Sequence, residues 1–161
     1  MNTVPNRNAV DLFLANNHGF LRSYGLKLRV AGRGAERYRN QEVVEVIESF
    51  DDYKVLASDV LCGIAPMING VGVQNKVLDY LVLGLPALIS DVAMSGLELI
   101  DGENCFEVNT ENIRAKILYL KASENVAHIN MLRLAGRKKV IEKYTWKAEV
   151  QKLVDYLTVN N

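Results

Sequence analysis

Two unbroken apolar runs, separated by a segment of helical length, constrain the fold of this chain most strongly. The first run is residues 59–66 (DVLCGIAP) and the second is residues 85–90 (LPALIS). Neither run alternates apolar with polar residues, which is typical of parallel strands that helices cover on both faces. The residues between them, 74–83, are predicted to form a helix. This order of strand, helix and strand predicts an α/β layer fold.

The rest of the chain continues this alternation of strands and helices. Further strands are predicted at residues 26–31, 43–47 and 105–108, and further helices at residues 8–24, 51–57, 111–121, 125–142 and 146–157. We therefore predict one domain, residues 1–161, with a Rossmann-like parallel sheet of about five strands flanked by helices. Ligands of such sheets bind beyond the carboxyl ends of the strands, so the loops to consider follow Ala31, Ile47, Pro66 and Ser90.

Composition argues against several classes of function. The 19 basic and 19 acidic residues cancel, so net charge gives no support to nucleic-acid or anionic-membrane binding. The longest apolar stretch, residues 77–89, is too short to cross a membrane, and the N-terminus lacks the pattern of a secretion signal. Cys62 and Cys105 are isolated and are predicted to be reduced core thiols. These features predict a cytoplasmic location.

The loop after Pro66 is the strongest candidate binding segment. It contains Gly70 and Gly72, and Asn75 and Lys76 follow at the start of a predicted helix. Glycines let the main chain approach a ligand closely, and the free N–H groups of a helix start favour anions. A lysine in a first helical turn opposes the helix dipole unless an anion lies nearby. The segment is a candidate phosphate site, with a plain glycine turn and a solvated lysine as the alternative.

Other candidate residues each have two interpretations. Asp79 lies about one turn after Lys76, where it either pairs with that lysine or accepts hydrogen bonds from a ribose diol. Gly32 follows a strand, where it either forms a turn or lets a nucleotide approach. Ser95 and Gly96 are predicted to open a short helix. Ser95 then serves as its N-cap, or the segment directs N–H groups towards a phosphate.

Other chemistries have less support in the sequence. His18 and His128 are far apart and neither accompanies a nucleophile motif, so no hydrolytic triad is predicted. Ligand spacings for zinc or calcium are absent, so no metal site is predicted. A basic cluster on a predicted helix is expected to be a solvated face and comprises Arg133, Arg137, Lys138 and Lys139.

The run from Asp59 onwards resembles the donor-binding, C-terminal half of family 4 (group 1) glycosyltransferases, which are two-domain GT-B enzymes. The matching features, in chain order, are Asp59, Pro66, Gly70, Gly72, Lys76, Asp79, Gly84-Leu85-Pro86, and Gly96 with Glu98. The ending, with Arg137, Tyr144 and Trp146, is also similar to that of the family. The resemblance therefore extends over nearly the whole chain.

The resemblance implies a function. Such enzymes transfer a sugar, with retention and without a required metal, from a nucleotide-sugar such as a UDP- or GDP-sugar to a glycan or lipid acceptor. By resemblance, Asp79 binds the ribose, the glycine loop with Lys76 holds the diphosphate and sugar, and residues 47–50, ending at Phe50, line the base. The implied setting is bacterial polysaccharide assembly. Peripheral membrane contact of the parent enzyme would be compatible with this setting. The resemblance leaves the catalytic residues unassigned.

The sequence departs from the family pattern in three respects. The family often has a second acidic residue eight positions before the one matching Asp79, where this chain has Val71. A GT-B cleft needs two domains, so we expect a fragment or half of a split enzyme that lacks the N-terminal acceptor domain and is inactive alone. By the same resemblance, we expect the first strand of the domain to be missing from this chain. Without that strand, main-chain groups of the sheet would be unpaired, so we expect either reduced stability or a neighbouring chain that takes the place of the strand.

Three other functions remain open from the sequence. A sugar-nucleotide epimerase-like domain would need further acidic and histidine groups near the donor. A non-catalytic receiver-like α/β module would need an acidic pair after its first strand and a phospho-acceptor aspartate at a strand end. A degenerate nucleotide-binding partner would have lost catalysis together with the carboxylate at position 71.

Overall fold

The computed structural model describes residues 4–70 and 72–159, and these residues form the predicted α/β layers. The strands are β1 (Leu28–Ala31), β2 (Val44–Ile47), β3 (Gly63–Ala65), β4 (Ala87–Ile89) and β5 (Phe106–Glu107). The helices are α1 (Val4–Ser23), α2 (Tyr53–Ala57), α3 (Asn75–Val82), α4 (Asp91–Met94), α5 (Ile113–Lys121), α6 (Val126–Lys143) and α7 (Trp146–Val159). Short 3-10 helices lie at Ala35–Tyr38 and Ser123–Asn125.

All strand pairs among the described residues are parallel, but they belong to two sheets. β1 pairs with β2 in a register that runs from Leu28 opposite Val44 to Ala31 opposite Ile47. In the other sheet, β4 lies between β3 and β5. The prediction of five parallel strands flanked by helices is confirmed. Their main-chain hydrogen bonds do not form one continuous sheet, because β1 and β3 are not paired with each other.

Helices cover both faces of the three-stranded sheet, as the apolar runs predicted. Successive side chains of a strand point to opposite faces. Leu88 packs with residues of α1, α5 and α6, whereas Ala87 and Ile89 pack with residues of α3. All three residues are fully buried. Burial on both faces explains why β4 contains no polar residue.

The largest differences from the predicted element boundaries are at the starts of α1 and β3. Helix α1 begins at Val4 instead of residue 8, because Pro5 falls in the first turn, where a missing N–H costs no helical hydrogen bond. Strand β3 begins only at Gly63. Before it, Asp59 adopts a left-handed conformation with φ of 56° in a turn, which aspartate tolerates better than most residues.

The helix after β4 is capped by a different serine from the one predicted. The Oγ of Ser90 accepts a hydrogen bond from the N–H of Ala93 at 3.3 Å and donates one to the carbonyl of Met67 at 2.7 Å. Ser95 follows the last residue of α4, so the prediction that it caps a helix start is wrong. Ser90 takes this role because it ends a buried strand, beside both the helix start and the loop after β3.

Replacing Ser90 with alanine is expected to lower the free energy of unfolding by about 1–3 kcal/mol. The substitution removes the cap of α4 and leaves the buried carbonyl of Met67 without its donor. Ser95→Ala is the matched control, because Ser95 is exposed and caps no helix start; its effect should stay within about 0.5 kcal/mol. Urea denaturation measures both, and equal effects of the two variants would contradict this account.

Two predictions from composition have structural counterparts. Cys105 is buried and Cys62 is half-buried, and both are free thiols. Burial raises the pKa of each thiol to about 12. The prediction of core thiols therefore applies fully to Cys105 and partly to Cys62. Within residues 4–70 and 72–159, every helix is too short or too polar to cross a membrane.

Candidate functional site

The predicted binding loops gather at one edge of the structure. Because paired strands run parallel, the loops after them emerge at their common carboxyl ends, where α/β sheets bind ligands. These loops carry Gly32 after β1, Phe50 after β2, Gly70 and Gly72 after β3, and Ser95 and Gly96 after β4 and α4. The candidate residues thus come from four separate loops.

The glycine loop after β3 is closed by the side chain of Gln74. Its Nε2 donates a hydrogen bond to the carbonyl of Gly72 at 3.2 Å. Gly72 has φ of 74°, a left-handed conformation that favours glycine. A methyl group on Gly96 would lie 3.7 Å from Val73, so the loop after α4 lies against this loop. Val71, where the family pattern has a carboxylate, lies outside the described residues.

Lys76 is held at the start of α3 by neutral groups. Its Nζ donates to Oδ1 of Asn6 at 2.8 Å and to Oε1 of Gln74 at 3.1 Å, and lies 3.3 Å from Sδ of Met67. Partial burial lowers the pKa of this ammonium group. Among the described residues, no carboxylate lies within ion-pairing distance of it. The interpretation that Lys76 pairs with Asp79 is therefore wrong.

Asp79 is a half-buried carboxylate on α3. Its side chain has no hydrogen-bond or ion-pair partner in the described part of the chain, and burial raises the pKa of its carboxyl group. A partly buried charge without a partner is unfavourable for folding. Groups with such perturbed titration are frequent at functional sites.

Asp79, Lys76 and Phe50 line one groove of about 610 Å³ between the two sheets. The Phe50 ring meets the Tyr53 ring edge to face, with centroids 5.0 Å apart. The groove thus combines an aromatic surface, an ammonium group and a carboxylate that no described residue contacts by a hydrogen bond or ion pair. Such a set can contact a planar ring, hydroxyl donors and an anion.

The structure does not bring every predicted residue into this groove. The N–H of Gly32 donates to the carbonyl of Ile47 at 2.8 Å and its carbonyl accepts from Ala35, so Gly32 forms a turn beside the groove. Asn75 is exposed at the first position of α3, and Ser95 is exposed after α4. These three residues lie at the same edge but do not line the groove, and neither do the other predicted glycines, Gly70, Gly72 and Gly96.

A second cavity, of about 360 Å³, lies at the same edge. It separates α1 from the loops after β3, β4 and β5, and its lining includes Leu12, Asn16, Ile68, Val92 and Thr110. None of the predicted site residues lines it. It offers a second location where a ligand could be detected, and therefore an internal comparison for any mapping of binding.

Several contacts that hold α3 come from residues that the sequence analysis missed or assigned to a solvated face. Asn6 reaches Lys76 from α1, 70 positions earlier in the chain, and no local motif marks it. The Nε of Arg133 donates to the carbonyl of Gly84, and Nη1 of Arg137 donates to the carbonyl of Val82, each at 2.5 Å. These two arginines of the basic cluster bind the end of α3, where cations complement the helix dipole.

The Gly96–Glu98 element is tied to α6. The Glu98 carboxylate accepts a hydrogen bond from Lys143 and lies 3.5 Å from Lys139, and the bond from Lys143 lowers the pKa of this carboxyl group. The N–H of Glu98 also donates to the Tyr144 hydroxyl at 2.6 Å. Lys139 therefore has a structural partner and is half-buried, whereas Arg133, Arg137 and Lys138 are exposed, as expected for a solvated face.

The residues that the other functions would need lie elsewhere. Asp59 precedes β3, at the opposite end of the strand from a phospho-acceptor position. His128 is engaged by the Tyr119 hydroxyl at 2.8 Å and the Gly102 carbonyl at 2.9 Å. The described ranges contain no group of three or more histidine, cysteine or acidic side chains placed to hold a metal ion.

Comparison with protein families gives the decisive match. A family model described as glycosyl transferases group 1 matches residues 1–123. The chain belongs to the group 1 glycosyltransferases. A search of curated proteins gave no match.

Two solved structures share the fold of this group 1 glycosyltransferase chain. A crystal structure of TarM has 15% identity and a TM-score of 0.73, over 95% of this chain and 32% of the TarM chain. A glycine-to-arginine mutant of S. aureus TarM, in complex with fondaparinux, alpha-GlcNAc-glycerol and UDP, has 15% identity and a TM-score of 0.74, over 96% and 33%. This chain spans about a third of their length. The likeness agrees with the expected Rossmann-like half of a GT-B fold.

Proposed function

We propose that this chain is the donor-binding part of a glycosyltransferase that transfers a sugar from a nucleotide-sugar, with retention, to a glycan or lipid acceptor. The observation that carries the proposal is the half-buried Asp79 carboxylate, which has no partner among the residues that the structure describes and lies in one groove with Lys76 and Phe50. A ligand with a planar base, a ribose diol and a diphosphate would satisfy all three groups. The TarM complex contains UDP, a molecule of this kind.

Each part of the donor has a proposed contact. The base lies against Phe50, the ribose hydroxyls donate to Asp79, and the diphosphate lies near Lys76 and the N–H groups at the start of α3. Gly32, Gly70, Gly72, Asn75, Ser95 and Gly96 are proposed to complete the surroundings from the same edge. The chemical contribution of these residues is to position the donor and to stabilise the negative charge that develops on the leaving diphosphate.

The remaining part of the enzyme is also a proposal. In a GT-B enzyme, the acceptor binds to an N-terminal domain across a cleft from the donor. We assign only the donor side to this chain and therefore expect it to bind a nucleotide without transferring sugar. Activity is expected only when the acceptor domain is also present.

Ligand-observed NMR with UDP, GDP, ADP and CMP tests the proposal. We expect saturation transfer from the chain to the base and ribose protons of one of these nucleotides. The base of that nucleotide would identify the donor. Absence of transfer to all four, both with this chain and with a longer protein that contains it, would refute the proposal.

Nucleotide binding is expected to weaken as the pH falls through the raised pKa of Asp79. Ribose hydroxyls donate to the ionised carboxylate, so affinity is full above this pKa and declines as the group becomes protonated. The effect of the same group on the free energy of unfolding has the opposite sign. The folded state takes up a proton at a higher pH than the unfolded state does, so stability rises as the pH falls.

Calorimetric titration at descending pH measures the change in nucleotide affinity. Asp79→Asn should remove the part of the pH dependence that comes from this group, and an unchanged pH profile in that variant would contradict the assignment.

A further inference from the structure

Asn69 and Gly70 form the only Asn-Gly dipeptide in the sequence, and they lie in the loop after β3. In such a pair the main-chain nitrogen of the glycine can attack the side-chain amide carbon of the asparagine, because glycine has no side chain that blocks the approach. The reaction needs no enzyme. In a folded protein it requires that both reacting groups are exposed and free of competing hydrogen bonds.

Both reacting groups are free in this loop. Asn69 and Gly70 are exposed. In the described part of the chain, neither the side-chain amide of Asn69 nor the N–H of Gly70 has a hydrogen-bond partner. No hydrogen bond to a described residue therefore holds the Asn69 side chain away from the nitrogen of Gly70.

An Asp-Gly pair elsewhere in the chain, Asp101 and Gly102, is held closed. Such a pair can form the same five-membered ring with loss of water. Here Oδ1 of Asp101 accepts a hydrogen bond from the N–H of Glu107 at 2.8 Å, and the N–H of Gly102 donates to the carbonyl of Cys105 at 2.9 Å. Local opening must release both groups before they can react. The fold thus exposes the Asn-Gly pair and protects the Asp-Gly pair.

The position of Gly70 links the reactive pair to Lys76. Gly70 has φ of 154°, a positive value that favours glycine, and a methyl group there would lie 3.3 Å from Nε2 of Gln74. Through its Oε1, Gln74 also accepts a hydrogen bond from Nζ of Lys76. The reactive pair is therefore adjacent to a side chain that holds Lys76.

A carboxylate at position 69 would change the charge of this segment. Residues 66–76 contain no acidic residue, and Lys76 is their one charged side chain. Conversion of Asn69 to an acid would cancel that single positive charge. An anion bound near Lys76 would then be repelled by the new carboxylate.

We propose that Asn69 is a site of spontaneous deamidation, and that the resulting carboxylate weakens anion binding at the loop after β3. The nitrogen of Gly70 loses its proton to hydroxide and bonds to Cγ of Asn69, and the side-chain nitrogen takes up a proton and leaves as ammonia. Water then opens the five-membered succinimide ring. Cleavage of the new bond to Cγ gives aspartate, and cleavage of the bond to the main-chain carbonyl carbon gives isoaspartate. The deamidation is independent of the proposed function, whereas its effect on anion binding rests on that function.

Incubation of the folded chain at mildly alkaline pH, followed by peptide mass spectrometry, tests the modification. The peptide that contains Asn69 should gain the mass difference between NH2 and OH about tenfold or more faster than peptides with other asparagines. It should also separate into aspartate and isoaspartate forms. Asn69→Gln is the matched control, because glutamine keeps a neutral amide but would have to form a less favourable six-membered ring. Isoaspartate at Asp101 should form in urea and not in the folded chain.

Titration with inorganic pyrophosphate tests the consequence. Asn69→Asp carries the charge of the product, and its affinity for pyrophosphate should be about fivefold lower than that of Asn69→Gln. Both variants replace the same exposed side chain, so the difference between them reports the charge. The parent chain, incubated until deamidation is complete, should show the same loss.

Two outcomes would overturn the proposal. The first is deamidation of Asn69 that is no faster than that of the other asparagines. The second is equal affinity of Asn69→Asp and Asn69→Gln for pyrophosphate, in a chain that binds it. If the parent chain binds neither pyrophosphate nor a nucleotide, the proposed function and the effect on anion binding both fail, and the mass measurement alone decides whether Asn69 is a modification site.

Discussion

Gly63→Ala is expected to lower the free energy of unfolding by about 1–3 kcal/mol. A methyl group on Gly63 would overlap with the ring of Tyr80. That ring cannot move freely, because its hydroxyl donates to the carbonyl of Ile64 and its burial is sufficient to raise its pKa to about 12. Helix α3 would have to shift away from β3. Since α3 carries Asp79 and Lys76, nucleotide affinity should fall with stability.

Two controls isolate the overlap with Tyr80 as the cause. Gly19→Ala is the same substitution in the exposed interior of α1, with no atom close to the new methyl group, and it should stabilise the chain by up to about 1 kcal/mol through helix propensity. In a Tyr80→Ala background, Gly63→Ala should cost much less. Denaturant unfolding of the four proteins of this cycle provides the measurement, and an equal cost in both backgrounds would show that the ring is not responsible.

Asp79→Asn is expected to weaken nucleotide binding roughly ten- to a hundredfold, since hydrogen bonds to a charged group contribute about 1.5–3 kcal/mol. The same substitution should not lower Tm and is expected to raise it. It removes a partly buried charge that has no partner among the described residues. Weaker binding without a loss of stability distinguishes a ligand-binding carboxylate from a structural one. A fall in Tm of several degrees, with unchanged affinity, would contradict the assignment.

Asp59→Asn is the matched control for this variant. Asp59 lines the same groove but lies in the turn before β3, at its amino end, and asparagine tolerates the left-handed conformation found there. Its affinity for the nucleotide should equal that of the parent chain. Inorganic pyrophosphate, which has no ribose, should bind Asp79→Asn at least as well as the parent chain. An equal loss of pyrophosphate binding would place Asp79 near the phosphates instead of the ribose.

Much of the fold could be predicted because the strands are buried on both faces. The runs that contain β3 and β4 are almost wholly apolar, and the helices between the strands follow from residue spacing. The division into two sheets could not be predicted from these patterns, because pairing depends on which edges meet in space. The prediction of the helix cap after β4 was wrong because Ser90 and Ser95 are both of a residue type that caps helices, and both lie near the end of a strand. Only the position of the loop after β3, where the Met67 carbonyl accepts a hydrogen bond from Ser90, favours Ser90.

The sequence patterns predicted which loops form the candidate site, but they predicted few of the side-chain contacts around it. The spacing of Lys76 and Asp79 allows a pair on one helix face, but Asn6, distant in sequence, holds the lysine instead. In the same way, Arg133 and Arg137 form part of a charge cluster in the sequence, whereas the fold brings them to the end of α3. Contacts of this kind depend on tertiary packing that no local pattern records.

The most direct test of the central claim is an amide chemical-shift map of the chain during titration with the nucleotide that binds. The account predicts the largest shifts around the groove and its loops, at Phe50, Gly72, Lys76, Asp79 and Gly96. It predicts no comparable shifts at Leu12, Val92 and Thr110, which line the second cavity. Shifts concentrated at that second cavity, with Lys76 and Asp79 unchanged, would contradict the assignment of the donor site.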